Sequence, residues 1–130
     1  MAGALAMAAA VRARAQEHGD RLAIAVVDAG GNLVYFERMD GAVLATVDLA
    51  LAKARTSVGL GGPTQVFEAR ARESAEQGMG LLSANFTLMA GGRPIVIDGQ
   101  IVGAVAISGA IRGGDDDTAI AALDAIGATH

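Results

Sequence analysis

Between Leu22 and Ala42 the chain reads as a buried strand that turns back on itself and ends in a cluster of charges. Leu22 to Val27 is an unbroken apolar, largely branched run, the pattern of a strand covered on both faces. Ala29-Gly30-Gly31-Asn32 follows, and these residues form tight turns because glycine and asparagine tolerate positive φ. The two flanking runs are therefore expected to form a hairpin. Side chains alternate along a strand, so Val34, Phe36, Arg38 and Asp40 are expected on one face and Leu33, Tyr35, Glu37 and Met39 on the other. A charge pair thus extends an otherwise apolar face.

Composition limits what can surround that hairpin. A chain of 130 residues supports one core of useful size, so residues 1–130 are expected to form a single domain. The sequence is 52% hydrophobic with three Phe, one Tyr and no Trp, so the core must be built from Ala, Val, Ile and Leu. The 18 glycines favour close contact between elements. A net charge of −4 and the absence of a basic stripe argue against nucleic acid as a partner. The absence of cysteine removes disulfides, thiolate metal sites and a cysteine nucleophile, and suits a cytoplasmic protein.

The rest of the chain alternates helical and strand patterns. Leu5, Ala8, Val11 and Ala15 keep helical spacing, Gly19 supplies a stop, and no basic segment precedes the Ala-rich start, so residues 3–18 are expected to be a helix and not a signal. No stretch is long enough to span a membrane. Apolar positions 43, 47, 50, 51, 54 and 58 mark a second helix over residues 43–58. Residues 64–77 suit a short exposed helix, and 78–85 a loop. Phe86 to Ala90, Arg93 to Ile97 and Gln100 to Ser108 read as three strands joined by Gly91-Gly92 and Asp98-Gly99. Pro94 belongs near a strand start or on a sheet edge. Asp115 to Asp117 lead a last helix over residues 116–126. The expected class is α+β, with a five-stranded antiparallel sheet flanked by helices in a profilin-like arrangement.

At this point a resemblance becomes specific. Ile24-Ala-Val-Val-Asp-Ala-Gly-Gly31, Arg38-Met-Asp-Gly-Ala42, Lys53-Ala-Arg-Thr56, Gly91-Gly-Arg-Pro-Ile95 and the run from Asp98 to Gly109 resemble blocks of the GlcG/HbpS family, also found as the C-terminal domain of PduO-type proteins. The resemblance covers nearly the whole chain. It implies a profilin-like domain that is usually oligomeric, here a homo-oligomer between dimer and octamer. It also implies haem as a possible ligand. It does not imply one reaction.

The candidate site residues follow from chemistry. Asp28 is a candidate base, although an Asp before Ala-Gly-Gly also forms Asx turns. Arg38, Met39 and Asp40 are candidate ligand contacts, because a charge on a core-facing strand must be paired or line a cavity. A guanidinium fork also suits a carboxylate such as a haem propionate. Lys53 and Thr56 lie on neighbouring positions of one helical face, where the plain alternative is a solvated lysine. A cavity bounded by Asp28, Arg38, Asp40 and Lys53, closed by residues 78–85, is the expected site.

Histidine decides little about haem. His18, at a helix end, is a candidate iron ligand or simply a dipole-complementing cap, and His130 is terminal and expected to be disordered. Met39, Met79 and Met89 are soft candidates or core filler. No metal ligand set is identifiable. Three functions remain open: a haem-binding or haem-handling protein, a cofactor-independent isomerase, lyase or hydratase using Asp28 or Asp40 with Arg38 or Lys53, and a non-catalytic assembly module.

Overall fold

The computed structural model describes residues 1–130. Its elements run α1 (Ala2–His18), β1 (Ala23–Asp28), β2 (Leu33–Arg38), α2 (Ala45–Leu60), α3 (Thr64–Glu73), α4 (Ala75–Ser83), β3 (Gly92–Ile97), β4 (Gln100–Ser108) and α5 (Asp115–Asp124). All strand pairs are antiparallel, in the order β2-β1-β4-β3. The α+β class is as expected, and no helix is long and apolar enough to cross a membrane.

The continuous apolar run of β1 is explained by its central position, with helices on both faces. Ile24 and Val26 join Val105 and Ile107 of β4 in a cluster with Met7, Val11 and Leu123 of α1 and α5. Ala23, Ala25 and Val27, with Ala104 and Ala106, meet Ala50 and Ala54 of α2 on the opposite face. Nearly every buried apolar side chain on this second face is a methyl group, so α2 lies close to the sheet. The approach is tightest at β3, where a Cβ on Gly92 would stand 2.5 Å from the Lys53 carbonyl oxygen.

Four strands are present, not five. Residues 86–90 form no strand because their amides are claimed by side chains: Thr87 N donates to Thr56 Oγ1 (3.0 Å) and Ala90 N to Glu68 Oε2 (2.8 Å). Asn85, at φ 65°, breaks the chain direction before them. The expected loop at 78–85 is largely helix α4, capped by Ser74, whose hydroxyl accepts from Gln77 N at 3.3 Å. Gly78 and Gly80 weaken its helical signal, since each costs about 1 kcal/mol relative to alanine. Gly78 is nonetheless needed, because its Cβ would lie 3.1 Å from that of Ala71 on α3.

The first hairpin also differs from strict alternation. Val26 pairs with Tyr35 but Val27 pairs with Leu33, leaving Val34 as an extra residue in a bulge. Val34 consequently packs toward the α1/α5 cluster and Phe36 toward the α2 cluster. The expected common face of Val34, Phe36, Arg38 and Asp40 is not formed, and Arg38 and Asp40 are exposed. Past Arg38 the chain leaves the ladder through a turn closed by Ala42 N donating to Met39 O, with Gly41 at φ 84°.

Asp98 and Gly99, at φ 52° and 76°, close β3 onto β4 as a type I′ turn. Pro94 lies in edge strand β3, where a missing amide donor is tolerated. At the C-terminus Thr129 bridges to Val96, and His130 Nε2 lies 2.6 Å from Asp124 Oδ1. If the α2–sheet approach is as tight as described, Gly92→Ala should lower unfolding free energy by about 1–3 kcal/mol in urea denaturation, because the new methyl meets backbone that cannot rotate away.

Candidate functional site

A buried ammonium must be matched by acceptors, and Lys53 shows how this chain supplies them. The Lys53 side chain is fully buried, and Nζ donates to Ile107 O (3.0 Å) and Asp115 Oδ2 (2.9 Å). Asp115, in the first turn of α5, accepts with its other oxygen from Ala110 N at 2.7 Å. Gly91 leaves the necessary room, since its Cβ would be 2.8 Å from that of Asp115 and 3.1 Å from Nζ. Beside this pair Arg93 forms a two-pronged contact with Asp116, at 2.7 and 2.8 Å. The Asp116 hydrogen bond raises the Arg93 pKa.

Two clefts open on either side of Asp115, and both use Met89 as a wall. One, about 260 Å³, is largely apolar, with Val43, Leu49 and Ile111 joined by Thr46 and Ser108. The other, about 440 Å³, is acidic and lined by Glu68 and Asp115 to Asp117. These acids are mostly engaged already: Glu68 with Arg72 and Ala90 N, Asp115 with Lys53 and Asp116 with Arg93. No group of three or more His, Asp or Glu side chains is arranged to hold a metal ion.

A third cleft, about 630 Å³ and open, lies where the first hairpin meets the end of α1, and it brings Arg38, Met39 and Asp40 together with Arg12 and Arg21. Glu37 accepts from Arg12 (2.5 Å) and from the Tyr35 hydroxyl (2.7 Å). The second contact, with Glu37 itself, raises the Tyr35 pKa. Arg21 donates to Asp40 O at 2.9 Å, fixing the loop. Asp20, buried in the cleft floor, accepts from Arg112 N (2.9 Å) and Gly113 N (2.8 Å). Arg38 takes part in none of the ion pairs.

The structure does not gather all the residues expected at one site. Asp28 is at the far end of the hairpin from Arg38, since Ala23 is the residue paired with Arg38. Its Oδ1 accepts from Gly30 N and Asn32 N, both at 2.9 Å, so it builds the turn. Lys53 faces β4 and α5, and Thr56 holds the segment at Thr87. His18 packs against Gly113, where an added Cβ would lie 3.1 Å from its ring. Met79 is exposed on α4. Asp115, Asp116 and Ser108 were not expected at a site. Asp115 is 62 residues from Lys53, and only the glycine pair at 91–92 hints at the close approach between them.

A family model described as haem degrading protein HbpS-like matches residues 1–124. The chain belongs to the HbpS-like family. It is 34% identical over 126 residues to an uncharacterised 15.0 kDa protein from the dhaT-dhaS intergenic region of Citrobacter freundii, covering 95% of this chain and 89% of that protein. It is 35% identical over 107 residues to GlcG of Escherichia coli, covering 81% and 77%. The crystal structure of a PduOC–haem complex superposes with a TM-score of 0.90 at 27% identity, covering 99% of this HbpS-like chain and 95% of that one.

Two outcomes follow from the charges. Asp115→Ala should cost about 3 kcal/mol of stability by stranding the Lys53 ammonium, whereas Lys53→Met with Asp115→Leu should cost clearly less. Urea unfolding of both single variants and the pair measures this coupling. The folded turn lowers the Asp28 pKa below its ordinary 3.8, chiefly through the Asn32 amide. Its contribution is therefore present above that ordinary value and lost as pH falls through the folded one. Asp28→Ala should flatten that acid limb in a pH series of thermal melts.

Proposed function

We propose that this HbpS-like protein is a single-domain, cytoplasmic small-ligand binder on a profilin-like scaffold, that its ligand is haem, and that it works as a homo-oligomer. The observation that carries this reading is the open cleft of about 630 Å³, a volume within the range of small-molecule and cofactor sites. Arg12, Arg21 and Arg38 border it, and guanidinium groups recognise carboxylates in two-pronged geometry. Arg38 is the most available of the three, because Arg12 is paired with Glu37 and Arg21 donates to Asp40 O.

These residues fit the polar edge of a haem better than its faces. Arg38 and its neighbours would take the propionates, and the Met39 thioether is the soft donor lining the cleft. Asp40 shapes the loop through its carbonyl contact with Arg21. Bound haem would supply redox or ligand-binding chemistry at its iron. Only Ala15 and Met39 offer apolar surface here, so one protomer leaves most of a macrocycle uncovered. That shortage supports the homo-oligomer, with a second copy completing the cover. The likeness to a protein whose crystal structure holds haem supports the ligand class. The alternative enzyme using Asp28 with Arg38 and Asp40 draws less support, because the hairpin separates those groups by the length of β1.

Haemin titration followed by the Soret band tests the reading. Saturable binding is expected, weakened about tenfold or more by Arg38→Ala and shifted in band position by Met39→Leu, while His18→Ala leaves the spectrum unchanged. Binding unaltered by both Arg38→Ala and Met39→Leu in folded protein would place haem elsewhere. Light scattering should show more than one copy per particle at micromolar concentration, and a monomer would reject the oligomer.

A further inference from the structure

The smaller cleft beside Asp115 contains a polar group that no protein atom satisfies. Ser108, the last residue of β4, is only 4% exposed and lines this cleft. Its hydroxyl makes no hydrogen bond within the protein. No fully buried side-chain polar atom in the chain lacks a partner, so this oxygen must face the cleft space. Its position is fixed, because Ser108 is registered against Ala23 in the ladder with β1.

The other polar groups of the cleft define what can complement it. Thr46 Oγ1 gives its only proton to Val43 O at 2.7 Å, so toward the cleft it can only accept. Asp115 is a carboxylate whose oxygens accept from Lys53 and Ala110 N, and it too offers only further lone pairs. The wall therefore has acceptors on three side chains and a free donor on one, Ser108. The Lys53 charge cancels that of Asp115, so no net charge is presented at this wall. Val43, Leu49, Met89 and Ile111 make the remainder apolar.

We propose that this cleft binds a small neutral alcohol with a branched apolar tail. The alcohol's O–H supplies the proton the wall lacks, and its oxygen takes the Ser108 proton. A carboxylate ligand would meet a single neutral donor next to a carboxylate, and an ammonium would be desolvated beside an already neutralised pair. Either ion loses hydration that the wall does not replace. A volume of about 260 Å³ lies just below the range of drug-sized ligand cavities, which suits a very small molecule and excludes a macrocycle. The proposal is independent of the haem reading, because Arg38 and Met39 line a different cleft.

Amide chemical-shift titration of the whole protein with isoamyl alcohol tests it, with isovalerate and isoamylamine as charged analogues of the same shape. Saturable shifts are expected at residues 46, 89 and 108–111, with both ions binding at least about tenfold more weakly. Ser108→Ala should weaken the alcohol about fivefold, the effect of one neutral hydrogen bond, with an unchanged melting temperature. Met89→Ala, on an exposed segment outside the sheet, should also weaken it, and it keeps the test readable should Ser108→Ala fold poorly. Arg38→Ala should leave alcohol binding intact even where it abolishes that of haemin. No saturable binding, equal or tighter binding of either ion, or wild-type affinity in both Ser108→Ala and Met89→Ala would overturn the proposal.

Discussion

An ammonium group with no access to water sits at the junction of α2, β4 and α5, and the arrangement of these elements answers its need for acceptors. Lys53 reaches a backbone carbonyl of β4 and a carboxylate of α5, which ties together three elements distant in sequence. A buried ion pair of this kind contributes little net stability over an apolar replacement of equal volume. It is, however, costly to break from one side, and this selects the one packing in which both partners meet. Asp115 must then point inward from the first turn of α5, which places it between two clefts. The same contact that fixes the fold therefore sets the polarity of the candidate binding surface.

Close approach is the second condition on which the site depends. On the α2 face the sheet presents alanines and one valine, and Gly91 and Gly92 remove side chains where α2 comes nearest. Larger residues on that face would push α2 outward and take Lys53 Nζ away from Ile107 O. The α1/α5 face carries the larger side chains and supplies most of the apolar area buried on folding. One face contributes bulk, and the other contributes proximity.

Much of this was legible from residue pattern alone. The apolar run at 22–27, the turns at Gly30-Gly31 and Asp98-Gly99, and the helical spacing of α1 and α2 report local geometry, which neighbouring residues determine. Expectations failed where a distant partner decided the outcome. Residues 86–90 have strand-like composition, yet Thr56 and Glu68 capture their amides before a ladder can form. The bulge at Val34 shifts alternation by one residue and puts Val34 and Phe36 on opposite faces, while Arg38 ends the strand and Asp40 lies past it, both exposed. The site was partly legible for the same reason. Arg38, Met39 and Asp40 are neighbours in the chain and were found as a block, whereas the closeness of Ser108 to Asp115 exists only after β4 and α5 have packed.

The ends of the sheet are unequal. At β3 the outer edge carries Pro94, which has no amide to offer, and Thr129 from the C-terminal segment already occupies the backbone at Val96. At β2 the opposite edge has neither of these, but the bulge at Val34 interrupts it and Glu37 and Arg38 place charge on it. The two edges are therefore guarded by different means: a missing amide and a bridging C-terminal residue along Gly92 to Ile97, and irregular pairing with charged side chains along Leu33 to Arg38.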